Sequence, residues 1–162
     1  MKDKASVLIV DDDETICRTL SLYLKAEGYQ TDIANTGIEA IEKSEKTVYD
    51  VVLLDIKLPD MEGTELLTAI RDTTPKMIKM IVTGYPTLGN AVRALKQDAD
   101  DYVMKPVAPE ELVETIEKKL EKRKEADLMT EEKIEEFIVA RTEKLLQAPP
   151  TKKGLRKTNL TS

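Results

Sequence analysis

Residues 7–14 read VLIVDDDE, four apolar residues followed at once by three aspartates and a glutamate. Four more short runs of strand character lie at residues 31–34, 51–54, 77–82 and 102–104. Several of these runs are apolar without interruption, which is typical of strands buried on both faces of a parallel sheet. The opening stretch therefore predicts the first strand of such a sheet, with an acidic turn at its carboxyl end.

The segments between these runs have the spacing of amphipathic helices. In the first, Ile16, Leu20 and Leu24 share one face, and Gly28 is placed to end the helix. The later helices are predicted to open at Thr36-Gly37, at about Glu62, after Pro86 and after Pro109. Strands that alternate with helices predict βαβ units, right-handed crossovers and an α/β fold with helices on both faces of the sheet.

The length, net charge and cysteine and histidine content of the chain exclude or disfavour several classes of function. The chain has 162 residues, which fits one domain with a modest extension, and its net charge of −6 disfavours nucleic acid as a partner. One cysteine, Cys17, leaves no internal disulfide, which suits a reducing cytosol. The absence of histidine excludes Ser-His hydrolases, most zinc enzymes and histidine kinases.

The chain changes character from about Glu121. The segment that follows is highly charged, and Ile134, Ile138 and Leu145 form an apolar helical stripe that Arg141 interrupts. Either the fifth helix continues through it, or Thr130 caps a separate helix. The stripe would pack on a second copy of the chain, fold back on its own domain, or belong to a linker helix. Domains are predicted at 1–122 and 123–147, followed by a disordered basic tail at 148–162.

Polar residues with complementary chemistry stand at the carboxyl ends of four of the predicted strands. Asp11 and Asp12 follow the first strand, Asp55 ends the third, Thr83 the fourth and Lys105 the fifth. In parallel α/β sheets, ligands bind beyond these strand ends, where the strand order reverses. If the order is 2-1-3-4-5, the first and third strands are neighbours, and the three aspartates converge on one crevice.

This set of residues suits phosphoryl transfer. Crowded carboxylates favour a hard divalent cation such as Mg²⁺, which needs only one or two carboxylates plus phosphate oxygens. A carboxylate can attack phosphorus and form an acyl phosphate, and Asp55 is the candidate nucleophile. The Lys105 ammonium and the Thr83 hydroxyl would bind the oxygens of the transferred group as charge develops.

Each of these residues also has a simpler structural role. An aspartate at a strand-to-helix turn is commonly an N-cap, which we predict for Asp13. A single threonine in a strand commonly packs, and a single lysine is commonly a solvated charge. The functional interpretation therefore depends on the complementary set occurring together.

Four motifs of the sequence resemble the receiver domain of two-component response regulators. They are VLIVDDDE at residues 7–14, DIKLPDMEG at 55–63, TGY at 83–85 and DYVMKP at 101–106. The resemblance covers about residues 5–122. It implies a flavodoxin-like (βα)₅ fold, with a five-stranded parallel sheet of order 2-1-3-4-5, to which this chain adds a C-terminal helical extension.

The resemblance also implies roles for single residues. Asp55 matches the phosphoacceptor, and the Mg²⁺ ligands are matched by Asp11, Asp12, Asp55 and the main-chain carbonyl of Lys57. Lys105 matches the phosphate-binding lysine, and its bond to Pro106 is typically cis. The remaining matches are a switch pair, Thr83 and Tyr102, and two modulating positions beside the phosphoryl group, Lys57 and Tyr85.

Such a domain takes its phosphoryl group from the phosphohistidine of a sensor histidine kinase or phosphotransfer protein. It is not an enzyme beyond its own phosphorylation and slow autodephosphorylation. We expect a cytoplasmic protein without direct nucleic-acid or membrane binding. A homodimer would use the face of the fourth helix, fifth strand and fifth helix, or the C-terminal helix.

Competing functions fit the sequence less well. A haloacid-dehalogenase-type phosphatase needs a second aspartate at the position of Lys57, and a dinucleotide site needs a glycine-rich turn where this chain has aspartates. A receiver-like binding module that does not use phosphorylation stays open as the alternative. One departure from the family is Asp98, where glycine is usual; aspartate tolerates the left-handed conformation better than most residues.

Overall fold

A computed structural model of the chain describes residues 4–74 and 76–147, so the tail predicted at 148–162 lies outside the described residues. Within those ranges, five strands alternate with five helices, as the sequence predicted. The strands are β1 (Ser6–Val10), β2 (Gln30–Ala34), β3 (Val51–Leu54), β4 (Ile78–Thr83) and β5 (Asp101–Met104). The helices are α1 (Glu14–Ala26), α2 (Gly37–Lys46), α3 (Gly63–Thr73), α4 (Leu88–Lys96) and α5 (Pro109–Gln147).

The strands form one parallel sheet in the order β2-β1-β3-β4-β5, which confirms the flavodoxin-like α/β fold. β1 and β3 are hydrogen-bonded neighbours, and Val10 pairs with Leu54 in their register. The residues that follow this pair are Asp11 and Asp55, so the register alone sets the two carboxylates side by side. The strand order reverses between these two strands, which is where a ligand is expected in such a sheet.

A hydrophobic layer covers each face of the sheet. Successive side chains of a strand point to opposite faces, so Val7 and Ile9 of β1 join one layer, and Leu8 and Val10 join the other. The first layer packs against α1 and α5, and the second against α2, α3 and α4. Because both faces of the sheet are covered, the central runs at residues 7–10 of β1 and Val51–Leu54 of β3 are apolar without the alternation of a half-exposed sheet.

Caps and turns follow the local sequence. The Asp13 carboxylate accepts the amide N–H groups of Thr15 and Ile16 at 2.9 and 3.2 Å, which confirms Asp13 as the N-cap of α1. Asp98 adopts the left-handed conformation with φ of 63°, as its position in the usual place of glycine predicted. Its carboxylate forms an ion pair with Arg71 at 2.9 Å, which ties this turn to α3.

The fifth helix continues without interruption to Gln147. Thr130 therefore begins no separate helix, and its hydroxyl donates to the Ala126 carbonyl within the helix at 2.9 Å. The described part of the chain divides into two units, one that ends at Leu120 and one that begins at Glu121. In the second unit, Ile134, Ile138 and Leu145 are exposed.

No helix in the described part of the chain is both long enough and apolar enough to cross a membrane.

Candidate functional site

Three carboxylates meet at the carboxyl ends of β1 and β3. Asp11, Asp12 and Asp55 each offer an oxygen, and these oxygens lie within 4.8 Å of one another. Asp11 and Asp55 are buried, whereas Asp12 is exposed. The convergence follows from the pairing of β1 with β3, as the sequence predicted for this strand order.

Lys105 bridges the two buried carboxylates. Its ammonium nitrogen lies 2.6 Å from Asp11 Oδ2 and 3.0 Å from Asp55 Oδ2. The lysine follows β5, its own amide donates to the Thr83 carbonyl at 2.8 Å, and its bond to Pro106 is cis, as expected. Lys105 follows the edge strand β5, and its long side chain reaches the carboxylates at the ends of β1 and β3.

Burial and charge act in opposite directions on these groups. Burial raises the pKa of the Asp11 carboxyl above its ordinary value, although the hydrogen bond from Lys105 opposes the shift. For Lys105, burial lowers the pKa, but the hydrogen bonds to Asp11 and Asp55 outweigh it, so its pKa is raised. The lysine is therefore an ammonium ion at neutral pH, and one cation faces two buried carboxylates and an exposed one.

Part of the carboxylate surface stays available to a ligand. Asp11 Oδ1 accepts the Asp13 amide at 3.0 Å, and Asp55 Oδ1 has a long contact of 3.4 Å with the Lys57 amide. A carboxylate oxygen has two lone pairs, so one hydrogen bond leaves room for a metal or phosphorus. Oxygen donors of this kind fit a hard divalent cation such as Mg²⁺ or Ca²⁺.

Thr83 and Tyr102 lie on the adjacent strands β4 and β5. Thr83 is fully buried at the end of β4, and its hydroxyl oxygen accepts the Tyr85 amide at 3.0 Å. The Tyr102 hydroxyl is also buried, and none of the described residues forms a hydrogen bond with it. Tyr102 is partly buried and packs against the layer beneath α2, α3 and α4.

The two residues two positions beyond Asp55 and Thr83 contact one another. The Lys57 ammonium lies 4.3 Å from the centre of the Tyr85 ring, within the range of a cation–π interaction. Both residues are exposed. The sequence named Lys57 and Tyr85 separately, and the fold brings them together.

An apolar pocket of about 470 Å³ adjoins the site. Lys105 is one of its lining residues, and the rest of its wall comes from α1, β4, the segment between β5 and α5, and the first residue of α5. The residues from these elements are Thr15, Ile16, Thr19, Leu20, Val82, Pro106, Val107 and Pro109.

Sequence reasoning did not single out two polar residues beside the site. The Asn35 side chain donates to the Asp11 carbonyl at 2.9 Å, and the Asp60 carboxylate accepts the amides of Gly37 and Ile38 at 2.8 Å each. Both contacts join segments far apart in sequence. The only local signal is that Asn35 precedes a helix start and Asp60 follows a proline, which marks turns but names no partner.

Comparisons with known proteins agree with this geometry. A family model for the response regulator receiver domain matches residues 7–117. The transcriptional regulatory protein ZraR of Klebsiella oxytoca is 37% identical over 118 residues, which cover 73% of this chain and 27% of ZraR. The chain thus spans about a quarter of the length of that curated relative.

Solved structures show the same fold. A CheY-like receiver domain protein from Methanospirillum hungatei JF-1 is 45% identical with a TM-score of 0.74, and the match covers 75% of this chain and 98% of that one. A response regulator from Burkholderia pseudomallei, solved with a phosphorylated aspartic acid, calcium ion and citrate, is 28% identical with a TM-score of 0.66. That match covers 68% of this chain and 65% of the other.

Proposed function

Because this chain belongs to the response regulator receiver domain family, we propose that it is the phosphoacceptor of a two-component phosphorelay, with Asp55 as the phosphorylated residue. The single observation that supports this most is the buried Asp55 carboxylate, which Lys105 contacts at 3.0 Å beside two further carboxylates. The domain acts on no separate substrate. It catalyses only its own phosphorylation and slow autodephosphorylation.

In the proposed reaction, an oxygen of Asp55 attacks the phosphorus of a phosphohistidine on the partner. The phosphorus–nitrogen bond breaks, and its electron pair stays with the partner's imidazole. Lys105 binds an oxygen of the transferred group, and the Thr83 hydroxyl donates to another. Because Lys105 already contacts Asp55, its ammonium needs little movement to reach an oxygen attached to that carboxylate.

The cofactor that we propose is Mg²⁺. Its ligands would be the carboxylates of Asp11, Asp12 and Asp55 and the main-chain carbonyl of Lys57. The cluster of oxygen donors fits this ion, since Mg²⁺ prefers oxygen ligands and commonly uses only a few carboxylates. When bound, the ion supplies positive charge that stabilises the phosphoryl oxygens.

The switch that we propose couples Thr83 to Tyr102. Phosphorylation would draw the Thr83 hydroxyl toward the new phosphoryl oxygens and vacate the space that the Tyr102 ring enters. The Tyr102 hydroxyl supports this, because it is buried without a hydrogen-bond partner among the described residues, which is costly and favours an alternative position. The face of α4, β5 and α5 would then change shape. Backbone NMR shifts with beryllofluoride should extend to that face, and shifts confined to the site would contradict the switch.

The partner that we propose is a sensor histidine kinase or phosphotransfer protein, since the chain has no histidine of its own. The apolar pocket beside Lys105 supports a docking position next to Asp55. A Thr19→Lys change on the exposed face of α1 should slow transfer from the partner but leave labelling by acetyl phosphate unchanged. Equal loss with both donors would place Thr19 in the chemistry instead of in docking.

The domain organisation that we propose is a receiver domain at 1–122 and a helical extension at 123–147. The extension, or the face of α4, β5 and α5, would carry homodimerisation. We propose no direct contact with nucleic acid for this chain, in keeping with its net charge of −6.

The decisive experiment is labelling of the phosphoacceptor. We expect stoichiometric, Mg²⁺-dependent uptake of phosphate from acetyl phosphate by the wild type and none by Asp55→Asn. Asp13→Asn is the matched control, because it removes a neighbouring charge but keeps an N-cap residue for α1. Unchanged labelling of Asp55→Asn would refute the assignment. A wild type that takes up no phosphate would favour the alternative, a receiver-like binding module that does not use phosphorylation.

A further inference from the structure

We propose that residues 35–38, which form the turn after β2 and the first two residues of α2, are a brace between the acidic turn after β1 and the loop between β3 and α3. This brace would hold these two sides of the metal site at the spacing that Mg²⁺ requires. Asn35 and Asp60 are its two anchoring residues. The inference rests on the proposed function, since it concerns residues that position the metal site that this function needs. Both are positioning residues, because neither belongs to the proposed ligand set.

The first anchor joins the brace to the acidic turn after β1. The Asn35 side-chain amide donates to the Asp11 carbonyl at 2.9 Å, across 24 residues of sequence. The Asn35 main-chain amide donates to the Glu39 carboxylate at 3.1 Å, so the residue is fixed to α2 as well. The main chain between Asp11 and Asp12 is thereby tied to the start of α2.

The second anchor joins the brace to the loop between β3 and α3. The two oxygens of Asp60 accept the amides of Gly37 and Ile38, each at 2.8 Å. These amides lie in the first turn of α2, where helix N–H groups lack partners within the helix. The side chain of Thr36, the N-cap residue, accepts the Glu39 amide, and Asp60 completes the cap from another loop.

The loop that Asp60 anchors also contains Lys57. A bridge between Lys57 and Glu62 and a hydrogen bond from the Leu58 amide to the Met61 carbonyl close this loop on itself. Met61 packs so closely on Gly37 that a side-chain carbon at Gly37 would collide with its sulfur. A displacement of Asp60 would therefore be passed on to Lys57 and its carbonyl.

The two anchors act in series. Asp11 is tied to the brace through Asn35, and the brace is tied to the loop of Lys57 through Asp60. Loss of either anchor therefore breaks this connection between the two loops, while the pairing of β1 with β3 stays in place. This matters most for Mg²⁺, which demands near-ideal octahedral geometry at short distances. Ca²⁺ accepts variable geometry with longer bonds, so it should depend less on the brace.

The test compares affinities for Mg²⁺ and Ca²⁺ in the full chain, measured by backbone NMR titration at constant ionic strength. We expect Asp60→Ala to raise the Kd for Mg²⁺ by about 10-fold, the lower end for residues that orient metal ligands, and the Kd for Ca²⁺ distinctly less. Asp60→Asn keeps one acceptor oxygen and should fall between the wild type and Asp60→Ala. Asn35→Ala, which removes no charge, should have an effect similar to that of Asp60→Ala.

Glu62→Gln is the matched control. It removes one negative charge from the same loop, and the Glu62 side chain makes no capping hydrogen bond to α3. It should change both affinities by the same small factor and leave their ratio unchanged. The double variant Asn35→Ala/Asp60→Ala should bind Mg²⁺ about as weakly as either single variant, because the anchors act in series.

Two results would overturn the brace. If Asp60→Ala changes both affinities by the same factor as Glu62→Gln, Asp60 acts only through its charge. If the effects of Asn35→Ala and Asp60→Ala multiply in the double variant, the anchors are independent. A wild type that binds neither cation would instead refute the proposed metal site, and the brace with it. Urea unfolding in EDTA identifies any variant whose loss of affinity reflects unfolding.

Discussion

Removing the Lys105 ammonium should destabilise the metal-free protein strongly. In Lys105→Met, the side chain keeps most of its length but loses the charge that bridges Asp11 and Asp55. At the observed separations of 2.6 and 3.0 Å, Coulomb's law with an effective dielectric constant of about 20 gives attractions of roughly 6.4 and 5.5 kcal/mol. The two buried carboxylates, Asp11 and Asp55, have oxygens within 4.8 Å of one another and would repel by roughly 3.5 kcal/mol. Solvent screens the exposed Asp12.

These energies are partly offset when water enters and the side chains relax. Removal of one partner from a buried ion pair typically costs about 3–5 kcal/mol, and we expect a loss in this range. The assay is urea unfolding at pH 7 and low ionic strength in EDTA. Lys57→Met is the control, because Lys57 is an exposed cation next to the same site, and its loss should cost within about 0.5 kcal/mol.

Mg²⁺ and acid should both reduce the loss of unfolding free energy in Lys105→Met relative to the wild type. A bound divalent cation would restore positive charge between the carboxylates and stabilise by mass action. Folding raises the pKa of the Asp11 carboxyl, so keeping this carboxyl ionised lowers the free energy of unfolding at neutral pH. This cost is relieved as the pH falls from the pKa of the folded state toward the pKa of the unfolded state. A loss of less than about 1 kcal/mol, or one that neither acid nor Mg²⁺ reduces, would refute an electrostatic role for Lys105.

Three further predictions concern other parts of the chain. Lys57→Asn should accelerate the loss of phosphate from Asp55, because Lys57 packs on the exposed Tyr85 ring and neither side chain is suited to orient an attacking water, whereas an amide is. Slower decay in a time course of the labelled protein would contradict this. Truncation after Lys122 should convert a dimer into a monomer in sedimentation, and if both forms are monomers, dimerisation through the extension is wrong. Lys79→Met should stabilise the protein by about 1 kcal/mol at pH 7, measured by urea unfolding, because the wild type has to bury a charged ammonium whose pKa burial lowers. The gain should vanish near pH 11, where Lys79 is neutral in both the folded and the unfolded state.

The sign of the Lys79 effect follows from the direction of its pKa shift. A lysine whose pKa is lowered by folding costs stability below its folded pKa, and this cost disappears as the pH rises to the unfolded value near 10.5. Below the folded pKa the ammonium is buried, and its hydrogen bond to the Met77 carbonyl, at 3.3 Å, is long. Equal stabilities of the wild type and Lys79→Met at pH 7 would contradict the cost assigned to burying this ammonium.

The local sequence was sufficient to predict those features of the fold whose physical cause lies within a few residues of the chain. The apolar runs at residues 7–10 and 51–54 predicted buried parallel strands, because a sheet covered on both faces has no polar side. Asp13 was predicted as an N-cap because its carboxylate reaches amides only two and three residues ahead. Asp98 was expected to accept a left-handed backbone, which depends on its own side chain.

The candidate site was predictable only in part. The carboxyl ends of parallel strands lie on one edge, so the sequence determined that Asp11, Asp55, Thr83 and Lys105 would share that edge. It did not determine that the Lys105 ammonium contacts both buried carboxylates, because that depends on the distance between β5 and β1 and on the rotamer of a long side chain. The position of the Tyr102 ring likewise depends on packing against distant residues.

The sequence by itself determined the alternation of strands and helices, the acidic turn and the chemistry available at the strand ends, since these depend on neighbours in the chain and on side-chain type. Only the tertiary structure decided which loops contact one another. Asn35 meets Asp11 across 24 residues, and Asp60 meets Gly37 across 23, and nothing in the spacing of these residues specifies either contact. Such contacts arise because strand order brings separate turns to the same edge of the sheet, and strand order is a property of the whole fold.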